Sequence, residues 1–163
     1  MRPRNLAVLP FLLLLASGCA HYGAGLAPGQ STIEQVKASM GEPTLVREYS
    51  DATEALFYSK LPYGRQIWAA VVDRNGILVS FDQRLTDRHI ARITPDRSTA
   101  ENVLDILGPP FRRMKFPFKD IEAWEYQLPT TPEYQTLYVE VSPDFVVRKV
   151  YRLYDRDMRN KFP

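Results

Sequence analysis

The sequence predicts an α+β fold with two tandem helix-plus-antiparallel-β-meander repeats, whose helices pack on one face of an open sheet. The first observation behind this prediction is internal repetition, because segment 29–43 returns as segment 96–110, about 67 positions later. The second is that each copy carries the start and stop signals of a short helix. The third is that strand-forming segments and turn residues follow each helix. The mature chain is therefore expected to consist of two copies of one small structural unit.

Both predicted helices have a start signal and a stop signal. Ser31 and Ser98 are candidate N-caps, and a glutamate follows each of them at the spacing of a capping box, namely Glu34 and Glu101. Each helix is expected to end at a glycine in a left-handed conformation, with proline after it: Gly41 before Pro43, and Gly108 before Pro109. Starts and stops agree, which predicts a helix at the head of each repeat.

Strand-forming segments follow each helix in the same order. They are expected at 44–49, 55–61, 67–73 and 77–82 in the first repeat, where Asn75-Gly76 is a strong hairpin signal, and at 123–126, 135–142 and 145–153 in the second. The predicted organisation is repeat 1 at 29–85, a linker at 86–95, repeat 2 at 96–155 and a charged tail at 156–163.

Alternation along the strands separates two faces of the predicted sheet. Trp68, Ala70 and Val72, with their counterparts in the second repeat, are expected to face the core. The open face is expected to carry tyrosines interleaved with charges, and the residues proposed for partner binding are Tyr134, Tyr138, Glu140, Lys149 and Tyr151. Tyrosine offers a large contact area with a polar tip, which suits a protein-binding surface. The same pattern is also typical of ordinary half-exposed strand residues.

The first 18 residues have the pattern of an export signal. Arg2 and Arg4 precede a short apolar run, and small residues follow it. The last of these residues, together with Cys19, resemble the lipobox of bacterial lipoproteins, which implies a lipid on Cys19. The residue that follows, Ala20, implies transfer to the periplasmic face of the outer membrane. The alternative is a cysteine placed by chance after an ordinary secretory signal. Segment 19–28, which contains several small residues, is expected to be a flexible tether.

Charge and motif content argue against several classes of function. Removal of the leader takes two arginines and no acid, so the mature chain is formally neutral and has no basic stripe for nucleic acid. No motif indicates a nucleophile, a phosphate loop, a metal centre or a cofactor site, so the chain is not expected to be an enzyme. Asp87 and His89 are expected to be a solvated pair in the linker. Four carboxylates that precede strands are expected to be charged strand edges: Asp51, Glu54, Asp120 and Glu122.

The order of helix, Gly-x-Pro stop at 41–43, aromatic strand at 55–58 and Asn75-Gly76 hairpin resembles the outer-membrane lipoproteins of the SmpA/OmlA (BamE) type. Those proteins are accessory subunits of the machinery that inserts β-barrel proteins. Use of the unit twice in tandem is similar to β-lactamase inhibitor protein (BLIP), whose concave sheet grips its target. The resemblance implies BamE/BLIP-like repeats that function through protein contacts.

Three functions stay open at this stage. The first is a membrane-anchored interaction module in envelope or β-barrel assembly, the second an inhibitor of a periplasmic or extracellular hydrolase, and the third a structural lipoprotein that contacts peptidoglycan. Lipidation favours the first and third, whereas the tandem repeat favours the second. We take the first as the functional expectation. It implies two partners, the membrane through the lipid and envelope proteins through the sheet, with no nucleic acid and no small-molecule substrate.

Overall fold

The computed structural model describes residues 22–116, 118–130 and 133–154. The predicted signal segment, Cys19 and the charged tail at 156–163 lie outside these residues. In the described part, no helix is long and apolar enough to cross a membrane.

Each half consists of a helix followed by four strands. The first half contains α1 (Ile33–Met40), β1 (Leu45–Glu48), β2 (Glu54–Ser59), β3 (Ile67–Val72) and β4 (Leu78–Gln83). A short helix, α2 (Asp87–Ile90), lies in the connection. The second half contains α3 (Ala100–Leu107), β5 (Arg112–Phe116), β6 (Ile121–Leu128), β7 (Gln135–Val141) and β8 (Val147–Tyr154). The strands form two antiparallel sheets with the orders β1-β2-β3-β4 and β5-β6-β7-β8.

The predicted arrangement, with helices packed on one face of an open sheet, is wrong. Strands make up 42% and helices 15% of the structure, and the strands belong to two separate four-stranded sheets. Strands β4 and β5 are edge strands of different sheets and do not pair. The first sheet also has no open face, because one of its faces packs in the cluster that contains α1 and the other in the cluster that contains α3. A strand that is buried on both faces carries a nearly continuous apolar run, so alternation cannot identify an open side.

The buried side chains form two clusters. The smaller cluster joins Val36 and Met40 of α1 to one face of the first sheet, including Leu56, Ala70 and Leu78. The larger cluster joins the opposite face of the first sheet to α2, α3 and the second sheet. The first sheet therefore lies between the two clusters, and the two halves share one core.

Contacts of α3 with both sheets fix the halves against each other. The Tyr126 hydroxyl, on the second sheet, donates a hydrogen bond of 3.0 Å to the carbonyl oxygen of Gly108. On the other side of α3, Arg47 of the first sheet binds Asp105 at 2.9 Å and Glu101 at 2.5 Å. Helix α3 is thus held between the sheets by contacts from each of them.

The N-caps are one residue later than predicted. Thr32 and Thr99 cap the helices, and Gln35 and Asn102 complete the capping boxes. The predicted caps are buried instead, where their side chains accept hydrogen bonds from backbone N–H groups in the preceding turns: Ser31 from Ala27 and Ser98 from Thr94. Both N-cap predictions are wrong by one residue, because the turn that precedes the helix is the same in the two halves. Both predicted end glycines have positive φ, 84° at Gly41 and 83° at Gly108.

The described part of the predicted flexible tether is packed against the first sheet. The Tyr22 ring lies 6.2 Å from the Trp68 ring, and Leu26 packs against the smaller cluster. Gly23 approaches Phe81 so closely that a Cβ atom would lie 2.3 Å from the ring. Residues 22–28 therefore belong to the folded body, and the expectation of a free linker is wrong for them.

Candidate functional site

Four of the five residues predicted to bind a partner lie together on the second sheet. Tyr138 and Tyr151 are directly opposite each other on β7 and β8, and their stacked rings have centroids 5.6 Å apart. Glu140 is opposite Lys149, and its Oε1 atom accepts a hydrogen bond of 3.1 Å from the Tyr151 hydroxyl. We call these four residues the tyrosine face. Tyr134 stands apart, with its ring 4.1 Å from the Arg65 guanidinium.

The environment of Tyr151 keeps its hydroxyl protonated. Partial burial raises the pKa of Tyr151, and the hydrogen bond to Glu140 and the charge of that carboxylate raise it further. The phenol therefore acts as a hydrogen-bond donor at neutral pH. The side chain stays 37% exposed, so the aromatic ring is available to a partner.

Two polar residues on β6, next to the tyrosine face, were not predicted from the sequence. Glu125 is directly opposite Tyr138, so both side chains are on the same face of the sheet. The Glu125 carboxylate accepts hydrogen bonds of 2.6 and 3.1 Å from Arg112 and one of 2.7 Å from the amide of Gln127. The Gln127 Oε1 atom is buried without a partner among the described residues. Strict alternation of Glu125 and Gln127 with apolar neighbours on β6 is the sequence signal that could have identified them.

Comparison of the two halves shows why this face is open. In the first half Phe57 is opposite Ala69, and in the second half Glu125 is opposite Tyr138 at the equivalent strand positions. Phe57 and Ala69 belong to the cluster that contains α3. Ala123 is buried on the same side of the second sheet as the tyrosine face, and it belongs to neither cluster. The face that is apolar and covered in the first half is therefore polar and aromatic in the second.

A groove of about 410 Å³ lies on the other side of the second sheet, between α3 and strands β5 and β6. Its lining includes Ala100, Leu104, Arg113, Phe116, Trp124 and Phe145. Trp124 is buried, and the Arg113 guanidinium lies 4.1 Å from its ring centroid. The Trp124 indole N–H donates a hydrogen bond of 3.0 Å to Glu122, while Phe116 and Phe145 remain exposed at the rim. The groove thus has an apolar floor, aromatic edges and charged walls.

The predicted solvated pair of Asp87 and His89 is not formed. Asp87 binds Arg152 at 2.5 Å, whereas His89 is mostly buried and lies 3.2 Å from Asp82. The His89 Nδ1 atom is 2.9 Å from the Thr86 hydroxyl. Among the described residues, no group of three histidine, cysteine or carboxylate side chains could hold a metal ion.

Two of the four carboxylates predicted at strand edges accept local hydrogen bonds, Asp51 and Glu122. Asp51 accepts hydrogen bonds from Thr53, which lower the Asp51 pKa. Glu122 accepts the Trp124 indole hydrogen bond, and Asp120 lines the groove beside it. These contacts anchor turns and the groove wall.

His89 is expected to make stability depend on pH near neutrality. Burial lowers the pKa of His89 below its ordinary value of 6.5, the positive charge of Arg84 lowers it further, and the half-exposed Asp82 only partly opposes them. As pH falls through 6.5, the unfolded chain binds the proton first, so the free energy of unfolding decreases. This stabilisation is fully present above 6.5 and is lost as pH falls towards the lower folded pKa.

Urea unfolding of wild type and His89→Gln between pH 7 and about pH 5 tests this expectation. The difference in unfolding free energy between the two proteins should shift steadily against wild type as pH falls. Parallel pH profiles would contradict the assignment, since His89 is the titratable side chain that the two proteins do not share.

No family model matches the chain, and a search of curated proteins finds no similar sequence. Among solved structures, the chain is similar to a DUF4309 family protein (YjgB) from Bacillus subtilis, at 19% sequence identity. The match covers 80% of this chain and 83% of that protein, with a TM-score of 0.33. A likeness this distant says nothing about the function of the chain.

Proposed function

We propose that the protein is a non-enzymatic interaction module, anchored by a lipid on Cys19 at the periplasmic side of an outer membrane, that binds an envelope protein through the tyrosine face. The observation that carries the proposal is the stacked pair of Tyr138 and Tyr151 on a sheet face whose counterpart in the first half is covered by α3. Envelope or β-barrel assembly is the role that the sequence resemblance suggests for such a module.

The chemistry of the tyrosine face supports protein recognition. Stacking holds the two aromatic rings in place before binding, so less conformational entropy is lost when a partner orders them. Glu140 and Lys149 place both charge signs beside the rings, and the Arg112–Glu125 pair extends this polar surface along the sheet. Aromatic anchors surrounded by polar groups are typical of the residues that dominate binding energy at protein interfaces.

Replacement of Tyr138 and Tyr151 by alanine is expected to abolish partner recovery from chemically crosslinked envelopes. Loss of each aromatic anchor in an interface costs about 2 kcal/mol or more, so the double variant should bind at least a hundredfold more weakly. Tyr63→Ala is the matched control, because Tyr63 is 97% exposed on a loop of the first half. Recovery of β-barrel assembly subunits by wild type and the control alone supports the proposal.

Other outcomes of this experiment decide against it. Recovery of one soluble hydrolase as the main partner favours the inhibitor function instead. Equal recovery by wild type and the double variant shows that the tyrosine face is only a solvated surface.

Replacement of Cys19 by serine is expected to move the protein from the membrane fraction to the soluble fraction. A serine cannot carry the thioether-linked lipid, and the described part of the chain has no helix that could hold it in the bilayer. Fractionation with immunodetection measures the effect, and a variant that stays in the membrane fraction contradicts lipidation at Cys19. The Tyr63→Ala protein serves as the membrane-bound control.

A further inference from the structure

We propose that the groove between α3 and strands β5 and β6 is a second binding site, which accepts an aromatic side chain from an extended, acidic partner segment that adds to the free edge of β5. This site goes beyond the proposed function, because it lies on the opposite side of the second sheet from the tyrosine face. Three features support this site: a difference between the two halves, the backbone conformation of Phe145 and the charges of β5.

The first half has the same backbone hydrogen bond at this place but a larger helix residue. In both halves the first helical N–H donates 2.8 Å hydrogen bonds to the hairpin carbonyl: Ile33 to Gly76, and Ala100 to Phe145. The Ile33 side chain packs so close to Gly76 that a Cβ there would meet it at 3.3 Å. In the second half the helix residue is alanine and the hairpin residue is phenylalanine. Compared with the first half, the groove therefore lacks the isoleucine side chain and has the phenylalanine ring at its rim.

Phe145 adopts a conformation that phenylalanine disfavours. Its φ is 61°, in the left-handed region, whereas the first half uses Gly76 with a φ of 75° at the same position. A bulky residue with positive φ is a genuine outlier, and such residues concentrate at functional sites. Its side chain is also 69% exposed, so core packing does not account for it. A ring kept at this cost beside an apolar groove is suited to contact a ligand.

The rim formed by β5 favours an extended peptide over a compact ligand. Strand β5 ends the order of the second sheet, so no described strand pairs with its outer edge, and a further strand can bind there. Side chains of such a strand alternate between faces, so every second one would point into the groove. Arg113 and Lys115 project from β5 on the groove side, opposite Trp124 and Glu122.

The charges of β5 favour an acidic segment. Lys115 has no ion-pair partner among the described residues, and carboxylates directly opposite it and Arg113 on the added strand form favourable cross-strand pairs. Of the groove's own acids, Glu101 is bound by Arg47, while Glu122 accepts the Trp124 indole hydrogen bond and lies 3.8 Å from the Arg113 guanidinium. Lys115 is therefore the cation of β5 that an acidic segment would pair with first. An aromatic side chain flanked by carboxylates therefore matches both the floor and the rim.

The probe is a short fluorescent peptide in which glutamates alternate with valines around one central phenylalanine. Control peptides carry alanine in place of the phenylalanine, or lysines in place of the glutamates. Binding is measured by fluorescence anisotropy with the purified protein. We expect the phenylalanine peptide to bind at least about tenfold tighter than either control peptide, which corresponds to a contact of about 1.4 kcal/mol.

Two variants place the residue type of the first half at the equivalent position of the second half. Phe145→Gly should weaken the phenylalanine peptide about tenfold without lowering the urea midpoint, since glycine relieves the positive φ. Ala100→Ile should weaken it by refilling the groove. Tyr63→Ala and the Tyr138→Ala/Tyr151→Ala variant should bind it like wild type, which separates this site from the tyrosine face.

Unchanged affinity in Phe145→Gly, or equal binding of the phenylalanine and alanine peptides by wild type, would overturn the aromatic site. Equal binding of the lysine peptide would overturn its preference for acidic segments. If no peptide binds, the cations of β5 serve only to protect an exposed sheet edge from pairing.

Discussion

Replacement of Gly108 by alanine is expected to destabilise the fold by about 2–6 kcal/mol, through two separate effects. The backbone at Gly108, with φ 83° and ψ −164°, lies in a region that is essentially restricted to glycine. In addition, a Cβ atom there would lie 2.6 Å from the Phe57 ring and 3.0 Å from Ile67. The clash occurs where α3 meets the first sheet, so it separates the two halves of the core.

Gly41→Ala is the matched control for the backbone effect alone. Gly41 has φ 84° and ψ −161°, but no atom lies within 4 Å of the position of its Cβ. It should therefore lose only the conformational part, about 1–3 kcal/mol. Urea unfolding measures both variants, and Phe57→Leu should partly rescue Gly108→Ala by making room for the methyl group. Equal losses in the two alanine variants would show that the close approach to Phe57 relaxes without cost.

Exchange of the residue types at Phe57 and Glu125 is expected to have opposite consequences, although the two positions are equivalent in the repeat. Phe57 is fully buried between the halves, so Phe57→Glu removes a large apolar contact and introduces an unpaired buried charge. Truncation of a buried phenylalanine alone costs about 3–5 kcal/mol, and the charge adds to it. This variant should fail to fold, as measured by circular dichroism and urea titration.

Glu125→Phe should fold, because the partner that it abandons, Arg112, can turn to solvent. Loss of the hydrogen bond to Gln127 should cost about 1–3 kcal/mol. The new phenylalanine would join Tyr138 and Tyr151 in a continuous apolar patch, which favours self-association on size-exclusion chromatography. A folded Phe57→Glu protein, or an unfolded Glu125→Phe protein, would contradict the assignment of a covered and an open face.

The repeat could be predicted from the sequence because its markers are local. Gly41 and Gly108, and the turn at Asn75-Gly76, depend on conformations that only a few residue types adopt, so they are visible without knowledge of the tertiary structure. The predicted N-caps were wrong by one residue because Ser31 and Thr32 are both residue types that favour this position. Only the preceding turn, which binds the Ser31 side chain, decides between them. The sequence pattern therefore predicted where the helices lie, but it did not show whether the serine or the threonine is the N-cap.

The arrangement of the faces could not be obtained in the same way. Alternation on β3 assigned Trp68 and Ala70 to the core, yet Trp68 is only partly buried, and Ala69 on the other face is as fully buried as Ala70. Small apolar residues on both faces indicate burial on both sides, but they do not show that α3 from the second half supplies the cover. The groove has the same origin, since it depends on how closely α3 approaches β6. The tyrosine face was predictable because its residues are neighbours on one hairpin.

The packing of Tyr22 against the first sheet limits how far a lipid at Cys19 could stand from the folded body. Only two residues separate Cys19 from Tyr22, so the connection spans at most about 10 Å even when fully extended. Tyr22 lies on the side of the first sheet that carries α1, whereas the tyrosine face is at the far end of the stack, beyond α3 and the second sheet. A lipid on Cys19 would therefore be attached on the side of the folded body that is opposite the tyrosine face.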